Sequence, residues 1–368
     1  MHILCPQKSL SHSISIVQKS VSLKTTLPIL KGIYLEAQDQ SLKLIGTDLE
    51  IGIENLIEAD IIQEGAVVVD ARLFSEIIRK LPDEQIELKL QDNQQLLIKC
   101  TNTEFNILCY SAADFPDLPV IEEDEVHHLS QELFRDMIRQ TVFATSQEDS
   151  RPILTGVLME IDEDSLTMVA LDGYRVALRK GKIDATGHHK VVVPAKTLNE
   201  VSRIMNADEE TPISITLRDN HGLFTLGNTR LISRLLEGEF INYHQILPKE
   251  YKSKVKVKTR GLLNSIERAS LLAKEGKYNL VKFSITDEKL VITSNSELGK
   301  VYEELAIQLE GADLEIAFNS KYLIDVLKVV DEDEVYLEFT SAISPGIIKP
   351  VNHDNHVYLV LPVRLPNS

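Results

Sequence analysis

"VVVPAKTLNEVSRIMNADEETPISITL" spans residues 191–217. It reads as a strand, a turn at Pro194, a short amphipathic helix, an acidic loop and a second strand. The same unit stands at 67 as "VVVDARLFSEIIRKLPDEQIELKL" and at 314 as "LEIAFNSKYLIDVLKVVDEDEVYLEF". Ala71 and Ala195 lie 124 positions apart, and Ser320 follows 125 later. A second phrase keeps the step. It opens as "GIYLEAQDQSLKLIGTDLEIGIE" at Gly32, "GVLMEIDEDSLTMVALDGYRVALR" at Gly156 and "VKFSITDEKLVITSNSELGKVYEE" at Val281, so that Asp48, Asp172 and Ser296 are each 124 apart. A third phrase pairs "YSAADFPDLPV" at 110 with "LLEGEFINYHQILP" at 235, matching Phe115 to Phe240.

Three phrases in one order at one spacing make the chain an internal triplication. The period exceeds the ~20–50 residues of a solenoid unit, so each repeat is a domain. Polar stretches at 122–128 ("EEDEVHH") and 248–254 ("PKEYKSK") separate them, which places domains at residues 1–121, 129–248 and 249–368. Alternating runs such as "SLKLIG", "QLLIKC" and "SLTMVA" predict half-buried strands. Helical periodicity predicts two helices per repeat, over 8–22, 71–80, 130–145, 195–206, 260–274 and 320–330. The fold class is therefore α+β, with each domain carrying two helices on one face of an antiparallel sheet.

The net charge is −17, which by itself argues against a polyanionic partner. Sorted by element, the picture changes. The six helical spans together carry +8 and the remainder carries −25. The residue opening the second helix of each repeat is basic, as Arg72, Lys196 and Lys321. An acidic body with a basic helical layer suits a polyanion on one surface only. Six helices of about 10 Å diameter, side by side in a circle, leave a hole of roughly 9 Å, too narrow for a duplex roughly 17–20 Å across. Twelve helices from two chains leave roughly 28 Å. A head-to-tail dimer of three-domain arcs would form a closed pseudo-sixfold ring around DNA.

The chain resembles the beta sliding clamps of bacterial replicative DNA polymerases. "TLPILKGIYLE" (26–36), "GTDLEI" (46–51), "AADFPDLP" (112–119), "LDGYRVAL" (171–178), "VVVPAK" (191–196), "FNSKYLIDVL" (318–327) and "YLVLPVRL" (358–365) match that family's phrases in order. The resemblance implies a homodimeric ring that tethers polymerase to template without catalysis, cofactor or metal. Its implied partners are encircled duplex DNA, the polymerase catalytic subunit, the clamp loader and other proteins with a clamp-binding motif. It implies a partner-peptide pocket formed by Leu154, Gly173, Tyr174, Arg175, Val176, Ile246, Asn319, Tyr322, Ile343, Val360, Leu361, Pro362, Val363 and Arg364. There an apolar floor takes Leu or Phe anchors while Arg175 and Arg364 hold polar groups. Leu361 and Val363, two apart on one strand, share a face. Where the family usually carries Thr and His, this chain has Leu171 and Tyr174. Lys24 and Arg151 match basic positions in two DNA-facing loops, the second reading "EDSRPIL" without aromatics. The dimer contact maps to Phe105 and Ile107 of the first repeat against Leu271 and Leu272 of the third, with Glu303 and Glu304 nearby.

Other classes fit less well. There is no phosphate loop, GxGxxG or nucleophile elbow. The adjacent pairs His127–His128 and His188–His189 point to opposite faces of a strand, and "HDNH" (353–356) falls in a polar loop, so none is a metal site. Asp48 and Asp172 could be paired acids of a hydrolase, but their equivalent places favour one structural turn per repeat. A scaffold without a DNA role leaves the basic helices unexplained. Three cysteines without ligand spacing, no apolar leader and no ~20-residue apolar span predict a cytoplasmic protein off the membrane.

Overall fold

The computed structural model describes residues 1–22, 24–148, 150–183, 187–205, 211–218, 220–276 and 279–364. Six α-helices lie among them: α1 Gln7–Val17, α2 Ala71–Lys80, α3 Gln131–Arg139, α4 Ala195–Ile204, α5 Thr259–Ala273 and α6 Ser320–Leu327. Each repeat thus supplies two, as its periodicity predicts. In α2, Ala71, Phe74, Ile77 and Ile78 fall on one buried face, and Asp70 caps the helix by accepting from the Leu73 amide at 2.8 Å. Asn319 caps α6 in the same way through the Lys321 amide, at 2.9 Å.

Three helices end three or more residues before their expected limits. α1 stops at Val17 and tightens into a 3₁₀ turn over Gln18–Ser20. α3 stops at Arg139, where the Thr141 hydroxyl donates back to the Met137 carbonyl at 2.7 Å, and the chain resumes as a 3₁₀ turn at Val142–Ala144. α6 ends at Leu327. The last position of the expected 195–206 helix lies outside the described residues. No helix among the described residues is long and apolar enough to cross a membrane.

The strands do not divide into the one sheet per domain that alternation suggests. Each repeat gives two antiparallel groups, and a group of one repeat joins a group of the next. By contact the chain divides into two compact units, Met1–Glu132 with Asn199–Leu235, and Leu133–Leu198 with Leu236–Ser368. The first unit holds one thirteen-stranded sheet. In it the Ile51–Glu58 strand of the first repeat pairs with Thr229–Arg234 of the second, Asn55 opposite Thr229. The second unit holds a nine-stranded and a four-stranded sheet. Here Arg175–Lys182 of the second repeat pairs with His356–Val360 of the third, Arg179 opposite His356.

Asp48 and Asp172 take the turn role. Asp48 Oδ1 accepts from the Glu50 and Ile51 amides at 3.0 and 2.8 Å, and Asp172 Oδ1 from those of Tyr174 and Arg175 at 2.9 and 3.1 Å. Ser296 Oγ accepts from the Leu298 amide at 3.2 Å. One polar side chain closes the same turn in each repeat. The 353–356 segment is only partly loop, because His356 opens the last strand and is buried.

Candidate functional site

The candidate pocket lies in the second unit, at the pairing of Arg175–Lys182 with His356–Val360. Leu154, Val176 and Val360 are buried, and Ile246 packs against the core that contains Leu154 and Val176. Val360 belongs to the buried end of the last strand. The strand stops there, so Leu361 and Val363 are not on one strand face as expected. The Leu361 amide donates to the Tyr174 carbonyl at 2.8 Å and the Val363 amide to the Ala317 carbonyl at 2.8 Å. The tail therefore steps from the nine-stranded sheet onto the four-stranded one. Tyr174 (59% exposed), Ile343 (66%) and Leu361 (37%) present apolar surface to solvent, while Pro362 and Val363 are half-buried and Arg364 is exposed.

Gly173 holds φ +93° at the turn, a conformation that side chains rarely adopt. Nothing lies within 4 Å of a Cβ built there, so backbone conformation and not space selects glycine.

Arg175 is not a free side chain: it is buried and bonded within the chain. It is 7% exposed. Its Nε donates to Asp172 Oδ2 at 3.0 Å, Nη1 to Asp325 Oδ2 at 2.6 Å and Nη2 to the Phe143 carbonyl at 2.8 Å. Its guanidinium lies 4.8 Å from the Tyr322 ring centre and 5.3 Å from that of Phe143. Tyr322 in turn stacks with Tyr174, centres 5.9 Å apart at 18°. Burial pushes the Tyr322 hydroxyl above its ordinary range, so it stays a donor. Asn319 caps the helix that carries Tyr322 and Asp325. Arg175 thus ties the second repeat's turn to the third repeat's helix and sets the two tyrosines.

The candidate DNA residues are all exposed. In the first unit these are Lys24, in a turn, and Arg72, whose Nε meets Glu76 at 3.2 Å along α2. An exposed pair of this kind is worth little and yields readily to phosphate. Arg72 shares a groove with Lys19 and Arg79. In the second unit they are Lys196, Lys321 and Arg151. Arg151 precedes the 3₁₀ turn Pro152–Thr155, whose counterpart after Lys24 is Pro28–Lys31.

The candidate seam residues sit on or beside two strand edges. In the first unit the Thr103–Tyr110 strand pairs with Gln95–Cys100 along its length. It meets Gly65–Asp70 only at Cys109 and Tyr110, so among the described residues one side of 103–108 is open. Phe105 is exposed there, whereas Ile107 is buried. In the second unit the Gly299–Ala306 strand is the edge of the four-stranded sheet. Leu271 is 67% exposed beside it on α5, and Leu272 is half-buried. Glu303 is held by Arg268, and Glu304 accepts from the Tyr302 hydroxyl at 2.6 Å.

Comparison with known proteins matches this chain, in order, to the DNA polymerase III beta subunit N-terminal domain over residues 1–119, central domain over 128–242 and C-terminal domain over 244–364. The chain belongs to the DNA polymerase III beta subunit family. A "Beta sliding clamp" of Halalkalibacterium halodurans is 39% identical over 379 aligned residues, 99% of this chain and 100% of the relative. That of Bacillus subtilis is 40% identical over 368, covering 96% and 97%. The crystal structure of the Bacillus subtilis DNA polymerase sliding clamp matches at TM-score 0.97 and 38% identity, covering 100% of both chains. The triplicated unit is therefore the clamp domain, three to a chain.

Within that frame some residues escaped the sequence reading. Lys19 and Arg79 join Arg72 in one groove, and the first-turn rule that found Arg72 could not find them. Leu108, Leu298 and Tyr302 are exposed apolar residues on or beside the two open edges. Alternation marked them as strand or turn residues, and only the missing neighbour strand sets them apart. Asp325 gave no signal, because its partner lies 150 residues away.

Proposed function

We propose that two copies of this chain close head to tail into a ring that encircles duplex DNA and keeps a replicative polymerase on its template, with no chemistry of its own. The observation that carries this is the pair of open strand edges. The strand Ile51–Glu58 finds its neighbour in the next repeat, and so does Arg175–Lys182. The third equivalent, Gly299–Ala306, has no such neighbour among the described residues, and Thr103–Leu108 offers an open side. Two chains satisfy both edges and leave none for a third.

The charge supports the same reading. An acidic body of net −17 resists adhesion to DNA. Lys24, Arg72, Arg151, Lys196 and Lys321 supply weak, sequence-independent phosphate contacts that permit sliding. Leu154, Gly173, Tyr174, Val176, Ile246, Asn319, Tyr322, Ile343 and residues 360–364 form a shallow groove for a short peptide with apolar anchors, with Arg175 beneath it. The polymerase catalytic subunit, a clamp loader and other proteins bearing such a motif would use it in turn. Phe105 and Ile107 of one chain meet Leu271 and Leu272 of the other, near Glu303 and Glu304. The domains divide at residues 1–121, 129–248 and 249–368, and the protein works in the cytoplasm. Sedimentation equilibrium tests the assembly: the expected mass is twice that of the 41.4 kDa chain. A single-chain mass at every concentration would end the ring reading.

A further inference from the structure

Strand pairing joins one repeat to the next once in each compact unit, and the two joints are built alike. In the first, Ile51 lies opposite Ser233, which has Gly222 on its other side. In the second, Arg175, 124 positions on from Ile51, lies opposite Val360, which has Gly346 on its other side. Ser233 and Val360 are both buried. Just past them the chain makes the same bond. The Arg234 amide donates to the Glu50 carbonyl at 2.9 Å, as the Leu361 amide donates to that of Tyr174 at 2.8 Å. Asp48 and Asp172 close the two turns, and the next residue of each is left-handed, Leu49 at φ +76° and Gly173 at φ +93°. Glu50 therefore stands where the second joint has Tyr174, and Arg234 where it has Leu361.

The first joint also keeps a hollow at this place. A cavity of about 140 Å³ lies there, with Leu49, Leu118 and Ile232 among its apolar lining residues. That is about the room of four or five waters, enough for one apolar side chain. Ile232 is buried and Leu118 is half-buried, so the hollow has an apolar floor. Its rim is different. Glu50 and Arg234 both line the cavity, and both are exposed. At the second joint the same two backbone positions present a tyrosine ring and a leucine to solvent.

We propose that the first joint is a latent copy of the peptide groove, and that Glu50 and Arg234 are the residues that confine apolar partner motifs to the second joint. A motif of Gln, Leu and Phe seated at the first joint would strip water from both charges and bring no charge of its own to replace it. At the second joint the same positions gain from being covered, because Tyr174 and Leu361 bury apolar surface. One chain thus offers one groove, although its repeats build the frame twice. This rests on the groove reading above.

The test moves the rim of one joint to the other and counts bound peptide by titration calorimetry, with a peptide carrying Gln, Leu and Phe. The parent is expected to bind one per chain. E50Y with R234L gives the first joint the rim of the second, and the count is expected to rise to two. L361R alone puts the first joint's arginine at the second and should weaken the parent's binding by roughly tenfold or more. Added to E50Y and R234L, it should leave one site, the new one. E50Q with R234Q removes both charges without adding a ring; it is expected to raise the count in the same way and decides the matter if the E50Y–R234L protein does not fold. A count that stays at one in the folded variants, or a second site that L361R abolishes together with the first, overturns the proposal while leaving the groove at the second joint in place. A folded parent that binds no such peptide overturns both.

Discussion

Replacing Arg175 with alanine should cost the second unit a large part of its stability and, through it, the peptide groove. The side chain is buried and serves two carboxylates, a carbonyl and two rings. Removing one partner of a buried ion pair costs about 3–5 kcal/mol, because the other charge is left unpaired. Here the Asp325 side chain is 28% exposed and recovers some hydration. The lower end, about 3 kcal/mol, is therefore expected. At about 2–4 °C per kcal/mol for a unit of roughly 150–250 residues, the melting point should fall by about 6–12 °C. R175K keeps the charge but cannot reach Asp172, Asp325 and the Phe143 carbonyl together, so its loss should lie between parent and alanine. The assay is thermal unfolding beside anisotropy of a labelled peptide carrying Gln, Leu and Phe. Affinity should fall in the same order as the melting point, since Tyr322 and Tyr174 lose their support. An R175A protein that melts with the parent would refute the structural role. Lost affinity at an unchanged melting point would make Arg175 a direct peptide contact instead.

Replacing Leu271 and Leu272 with alanine removes apolar area from the seam at about 25 cal/mol per Å²; the dimer should dissociate at higher concentration with each chain still folded, and an unchanged dimer would move the interface elsewhere. Changing Arg72, Lys196 and Lys321 together to Glu should weaken DNA contact in low salt yet leave the melting point near the parent's, because all three side chains are exposed; insoluble protein would show them to be structural. Burial holds His356 below its ordinary 6.5, opposed by Glu332 and reinforced by Arg179 and His353, with Tyr358 packed on its ring. The unfolded chain therefore takes up a proton that the folded chain refuses, and stability should decline as pH falls below about 6.5. Melting curves between pH 7.5 and 5 should show that decline in the parent and a flatter profile in His356→Gln, and identical profiles would rule His356 out as its source.

The triplication was legible because it is written as spacing. Ala71, Ala195 and Ser320 each open a helix, and Asp48, Asp172 and Ser296 each close a turn. Helix ends were less legible. Thr141 fits a helical pattern by composition, but its hydroxyl competes for a carbonyl and α3 stops before it. The joints could not be read at all. Period-two alternation says which face a residue takes and nothing about which strand lies at its edge, so the pairing of Asn55 with Thr229 emerges only in three dimensions. The pocket residues came from resemblance. The intramolecular partners of Arg175 were not legible, since the carboxylate at Asp325 stands on a helix of another repeat.

Encirclement is the central claim, and retention on closed DNA tests it most directly. The chain is assembled on a nicked circular plasmid and washed in salt high enough to strip proteins that bind phosphate by charge alone. The bound protein is counted before and after a single cut by a restriction enzyme. A ring held by topology stays on the circle through the wash and runs off once the DNA has ends. Release at the same rate from circular and cut plasmid would contradict it.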